Sequence, residues 1–219
     1  MNSFSFALVL LSSAVVYTYP GSAQKMRFPD ISLPDGQHAM ILGRSGSGKT
    51  TLLHILAGLL TPTEGDVVMD GQSFKNLSSV QLDHFRGQKI GIVFQQSFFI
   101  QAITLSENLA WAQRLAGRAV DYARIDTLLS RLQIANHKDH LPSKMSIGEQ
   151  QRASIARAIV NKPSVIFADE PTSALDDFNA SHVIQLLSEQ AEQEKAALVI
   201  VTHDARIKSH FNHQIILGS

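Results

Sequence analysis

The residues that most restrict how this chain folds are Gly43-Arg44-Ser45-Gly46-Ser47-Gly48-Lys49-Thr50. They satisfy the Gly-x4-Gly-Lys-Thr spacing of a phosphate-binding loop, which works only between a strand and a helix. Its glycines let the backbone turn sharply and bring N–H groups to phosphate oxygens. A helix starting near Gly48 aims its positive end at the same anion. Both flanks fit: Ala39–Leu42 is an apolar run, and Leu52, Leu53, Ile55, Leu56 and Leu59 recur at helical spacing across Thr51–Leu60. Lys49 then meets the β and γ phosphates of a nucleotide, and the Thr50 hydroxyl suits Mg²⁺. Arg44, Ser45, Ser47 and Thr51 complete the set of nucleotide-binding positions.

Beyond the loop, apolar runs alternate with helical patterns, which argues α/β with a mostly parallel sheet. Lys89–Phe94, Ser164–Ala168 and Ala197–Val201 read as buried strands, and Asp66–Gly71 as a hairpin corner. Ile103–Ser143 reads as helical throughout, with Ile125, Leu128, Leu129 and Leu132 as one packing stripe. Ser146–Asn161, stopped by Pro163, and Ala180–Lys195 read as further helices. The strand ending at Ala168 runs into Asp169-Glu170. In an open parallel sheet that end shares an edge with the phosphate loop. Asp169 is placed to hold Mg²⁺ through water, and Glu170 to act as general base on a water.

Composition narrows the function. Lys+Arg and Asp+Glu are 19 each, so the basic excess of a nucleic-acid surface is missing. With no Cys, a disulfide scaffold, a thiolate metal site and cysteine catalysis are excluded. No charged residue precedes Lys25, and Phe6–Tyr19 is largely apolar. A signal peptide needs a cationic start, and a spanning helix needs about 20 apolar residues. Rich in Val, Tyr and Thr, this stretch is expected as an N-terminal strand or hairpin. His137/His140 and His210/His213, each three apart, suit one helix face, yet no acid or third ligand is evident beside either pair, so packing or solvent-exposed roles are expected.

Taken together, these motifs resemble those of ABC-type ATPase subunits, over about Tyr19 to Leu217. Met145-Ser146-Ile147-Gly148-Glu149 is similar to the family signature Leu-Ser-Gly-Gly-Gln/Glu, with Ile147 where glycine is expected. In that position a β-branched residue disfavours positive φ and adds bulk. The resemblance implies that Ser146, Gly148 and Glu149 cap ATP held by an opposite subunit. It makes Gln95 a Mg²⁺ or water contact, Ser173–Asp176 a dimer-crossing loop and His203 the γ-phosphate contact. Thr104–Asn108 resembles the segment that follows Gln95's loop and lies near a transmembrane partner. Tyr19, or else Tyr17, resembles the aromatic that stacks on adenine.

The implied architecture is a P-loop NTPase core in one domain, 1–219, with an N-terminal antiparallel β-subdomain and an inserted helical subdomain near 97–160. The implied activity is Mg²⁺-dependent ATP hydrolysis in a head-to-tail homodimer. A separate transmembrane permease completes the machine, and the ATPase sits on the cytoplasmic face of the inner membrane. The likeness is strongest to the lipoprotein-release, macrolide-export and cell-division branch. A slow, ATP-switched regulatory or scaffold module is the alternative that Ile147 keeps open.

Overall fold

The computed structural model describes residues 8–173 and 177–218; Phe6, Ala7 and the Ala174–Asp176 part of the expected dimer-crossing loop lie outside them. The described strands are β1 (Leu8–Tyr17), β2 (Met26–Arg27), β3 (Ile31–Pro34), β4 (His38–Gly43), β5 (Glu64–Met69), β6 (Gln72–Ser73), β7 (Ile90–Val93), β8 (Val165–Asp169), β9 (Ala197–Thr202) and β10 (His213–Leu217). The helices are α1 (Lys49–Leu56), α2 (Ser79–Lys89), α3 (Leu105–Leu115), α4 (Tyr122–Arg131), α5 (Ile147–Ile159) and α6 (Asp177–Glu194).

The strands form two sheets. One is antiparallel, in the order β2-β1-β5-β6, with β3 also on β1. The uncharged N-terminal stretch is thus its central strand. The β1–β5 register shifts between Ser13 and Val16, where Ala14 takes φ 50°. Gly65 is required opposite, because a Cβ there would collide with the Ala14 carbonyl. The second sheet is parallel, in the order β10-β4-β9-β8-β7.

Strands buried on both faces need apolar residues at consecutive positions, and β8 and β9 supply them. Val165, Phe167, Val199, Val201, Ala39 and Ile41 face α1 and the antiparallel sheet. Ile166, Ala168, Leu198, Ile200 and Met40 face the core that α3, α4, α5 and α6 share. The helix α5 packs so closely on β7 that a Cβ on Gly91 would strike the Ala158 carbonyl.

Three helices start with a capping box: Ser78/Gln81 on α2, Thr104/Glu107 on α3 and Ser146/Glu149 on α5. The region 103–143, expected to be helical, consists of α3 and α4 followed by two 3-10 turns. Gly117 at φ 70° and Gln133 at φ 57° reverse the chain just past each helix. Lys89 ends α2 rather than starting a strand, and α2 itself, β3 and β10 carried no clear sequence signal. His210 ends a 3-10 turn and His213 opens β10, so the second histidine pair does not share a helix face.

From the first turn and the last residue of α4, Arg124 and Arg131 each place a guanidinium nitrogen 2.6 Å from Glu194 on α6. The Glu194 side chain is only 5% exposed. Burial works to raise its pKa, but the hydrogen bonds and charges of the two arginines outweigh burial and hold it below the ordinary value. A lowered carboxyl pKa contributes stability above the unfolded value, about 4.3, and that stability is lost as pH falls through the folded value. Glu194→Gln should therefore cost about 2–3 kcal/mol at pH 7 in urea unfolding. The gap to wild type should close as pH falls below about 4.3 and on through the folded value.

Candidate functional site

The parallel sheet delivers the site. Strand β4 ends at Gly43, β8 at Asp169 and β9 at Thr202, and Asp169 pairs with Val201 while Leu42 pairs with Thr202. Their carboxyl ends are therefore level. Unlike α2, α3 and α5, α1 starts without a side-chain cap: Gly48 sits before it at φ 89° and supplies none. The first N–H groups of α1 stay free for an external acceptor. A Cβ on Gly48 would strike the Met26 methyl, and one on Gly43 would lie 2.5 Å from Ser47 Oγ, so the loop's close turns need glycine. The Ser47 hydroxyl is buried and without a hydrogen-bond partner. The loop thus opens as a cradle of unsatisfied donors, which suits phosphate.

A cleft of about 560 Å³ lies over this cradle. Its walls include Tyr19, Met26, Ser45, Gly46, Gly48, Lys49, Thr50, Thr51, Gln95, Glu170 and His203. The Lys49 amine is buried, donates to the Arg44 carbonyl at 3.0 Å and lies 3.6 Å from Glu170 Oε1. Tyr19 is exposed on the wall, its hydroxyl 2.7 Å from Thr51 Oγ1, while Tyr17 is buried and meets the Tyr19 ring edge-on at 4.9 Å. Of the two tyrosines, the structure therefore offers Tyr19 to the cleft.

The acids at the end of β8 have different surroundings. The Asp169 carboxylate is buried and accepts a hydrogen bond from Thr50 Oγ1 at 3.2 Å. Burial raises its pKa above the ordinary value, against the lowering effect of that hydrogen bond. A buried carboxylate and a hydroxyl side by side form a hard-oxygen donor pair, which fits a Mg²⁺ that completes its shell with waters and phosphate. Among the described residues no cluster of three His, Cys, Asp or Glu could hold a metal.

Glu170 takes φ 47°, a strained value for a side-chain-bearing residue, while its N–H donates to the Val201 carbonyl at 2.7 Å. Its carboxylate accepts from Thr202 Oγ1 at 3.1 Å and lies 2.9 Å from His203 Nδ1. Thr202 is a part of the site that the sequence did not single out; its one signal was its place beside His203. Gln95 donates to Ser173 Oγ at 3.1 Å at the cleft's edge.

Ser146, Gly148 and Glu149 stand at the start of α5 and do not line this cleft. Ile147 is the first helical residue there and is not among the positive-φ residues, so the expected backbone conflict does not arise. Its bulk remains, and the side chain is 83% exposed. His137 and His140 also depart from expectation. They lie in and after a 3-10 turn, and an acid is present after all: Glu149 Oε1, 2.9 Å from His137 Nε2.

Comparison with known proteins agrees with this architecture. The family profile described as ABC transporter matches residues 28–173. The lipoprotein-releasing system ATP-binding protein LolD of Shewanella frigidimarina is 38% identical over 190 residues, covering 86% of this chain and 80% of that protein. The protein of the same name from Xanthomonas oryzae pv. oryzae is 39% identical over 203 residues, covering 90% and 82%. Among solved structures, the dimeric post-hydrolysis state of the ATP-binding cassette MJ0796 bound to ADP and Pi aligns with a TM-score of 0.82 at 33% identity, over 95% of this chain and 94% of that one.

Asp169 yields a prediction with two readouts. Because its folded pKa is raised, its charge opposes folding once pH exceeds the unfolded value, about 3.9. Asp169→Asn should raise the nucleotide-free Tm at pH 7 by about 3 °C. The same variant should lose the difference in ATP affinity measured with and without Mg²⁺, a difference the wild type should shed only as pH falls.

Proposed function

The chain belongs to the ABC transporter family of ATPases, and on that premise we propose that it drives a membrane complex through ATP-dependent dimerisation. ATP enters the cleft over α1, its adenine against Tyr19 and its phosphates on the N–H groups of Gly46–Thr50. Lys49 transfers from the Arg44 carbonyl and Glu170 to the β and γ phosphates. Thr50, Asp169 and Gln95 would hold Mg²⁺, which when bound would supply positive charge against the phosphates. Glu170 then accepts a proton from the water that attacks the γ-phosphorus, and the bond to the β-phosphate oxygen breaks to release ADP. His203 keeps the Glu170 carboxylate aimed and reaches the γ-phosphate.

The observation that carries the dimer is the separation of the two halves of the site. Ser146, Gly148 and Glu149 are absent from the chain's own cleft, so a second, head-to-tail copy supplies them. In that arrangement neither copy surrounds the γ-phosphate alone, which ties closure to chemistry. We take residues 1–219 as one ATPase domain, with 97–160 as its helical arm toward a separate permease. Among the described residues no helix is long and apolar enough to cross a membrane. We place the subunit at the cytoplasmic face of the inner membrane. The LolD relatives, named as ATP-binding proteins of a lipoprotein-releasing system, favour the lipoprotein-release branch.

A second reading rests on Ile147, whose exposed side chain adds bulk between Ser146 and Gly148, the residues read as the partner's phosphate cap. A scaffold slowed by that bulk dimerises on ATP with little turnover. Glu170→Gln decides the main reading. It should reduce turnover by about 10²-fold or more and leave an ATP-bound dimer stable in size-exclusion chromatography. A variant that turns over ATP like wild type and stays monomeric would rule the mechanism out. If wild type dimerises without turnover and Ile147→Gly restores hydrolysis, the scaffold reading replaces it.

A further inference from the structure

The segment between α4 and α5 makes a contact that nucleotide binding does not account for. His137 Nε2 lies 2.9 Å from Glu149 Oε1. The other carboxylate oxygen, Oε2, accepts the Ser146 N–H at 2.8 Å. The reciprocal bond, from Glu149 N–H to Ser146 Oγ, is long at 3.4 Å. The carboxylate is therefore the strong half of this capping box, and His137 grips it from outside the helix.

His137 is itself well located. Its Nδ1 is 3.2 Å from Nδ1 of His140 and the two rings meet edge-on; the Asn136 amide nitrogen, a donor 3.1 Å from Nε2, competes with the shorter contact to Glu149. Its charged neighbours Lys138 and Asp126 pair with each other at 2.5 Å. The segment is fastened on both sides. Leu105 and Ser106 in the first turn of α3 donate to the His140 and Lys138 carbonyls at 2.9 and 3.0 Å. The Gln150 side chain on α5 donates to the Pro142 and Met145 carbonyls at 3.1 and 3.0 Å.

We propose that His137 is a positioning residue for the loop that caps the partner's ATP. It fixes the Glu149 carboxylate, and through it Ser146 and the start of α5, to the segment that also holds the first turn of α3. This rests on reading Ser146, Gly148 and Glu149 as that cap. The contact has an electrostatic purpose as well. A carboxylate beside an incoming phosphate repels it, and a donor on the far oxygen draws that charge away from the approach.

The test uses the full chain in a Glu170→Gln background, with ATP-driven dimerisation followed by light scattering. His137→Leu should weaken the dimer by about tenfold, the size expected for a hydrogen bond to a charged group. ATP affinity measured on dilute monomer should not change. His137→Gln, whose amide reaches the same carboxylate, should recover the wild-type dimer, whereas the shorter His137→Asn should not. The Gln/Asn contrast decides the matter if the Leu variant fails to fold.

In a Glu149→Ala background, His137→Leu should have no further effect; an undiminished effect there would show that His137 acts on packing and not through Glu149. Wild-type dimerisation by His137→Leu, or failure of Gln to rescue, overturns the proposal. The cap reading fails separately. If Ser146→Ala and Glu149→Ala both dimerise normally, the cap itself is wrong; if they weaken the dimer and His137→Leu does not, only His137's role falls.

Discussion

Everything in the site hangs on the in-register pairing of three parallel strands. Because β4, β9 and β8 lie side by side with their ends level, Lys49, His203, Asp169 and Glu170 meet, though up to 154 residues separate Lys49 from His203. A one-residue slip in any of these strands would turn its side chains to the opposite face, exchanging one core for the other. The two apolar cores forbid that slip. The sheet is thus held in register by Phe167 and Val201 on one face and Ile166 and Ile200 on the other, not by the polar residues at its edge.

Those polar residues are nonetheless arranged to satisfy one another before any nucleotide arrives. Lys49 faces Glu170, Thr202 and His203 brace the same carboxylate, and Thr50 holds Asp169. A buried lysine and two acids left unpaired would be costly. Pairing them internally offsets the cost of burying these charges side by side. In the phosphate loop the first turn of α1 and the Ser47 hydroxyl remain unsatisfied, which suits an anion there.

Much of this was legible in the sequence because it is local. Gly43 to Thr50, Asp169-Glu170 and Ser146 with Glu149 each encode their geometry within a few residues, by loop spacing, strand end and capping box. What escaped notice was what local pattern does not carry. Helix α2 buries none of its residues, so no apolar stripe announces it, and only its Ser78/Gln81 cap could have done so. The break after α4 is made by Gln133 in a left-handed conformation, where no glycine warns of it. The grip of His137 on Glu149 joins residues 12 apart across two turns of irregular chain. In a glycine-type loop Ile147 would oppose a positive φ; the capping box instead puts that residue inside the helix, where its backbone is at ease.

The parallel sheet has a further consequence, in the order in which the chain is made. Strand β4 lies between β9 and β10, whose residues follow it by more than 150 positions. A chain growing from its N-terminus presents the phosphate loop early, yet the strand beneath it stays unpaired on both sides until almost all of the sequence has been synthesised. The antiparallel sheet pairs within the first 73 residues and can form well before. The nucleotide-binding edge is among the last parts to become ordered, so a nascent chain carries its most recognisable motif long before it can use it.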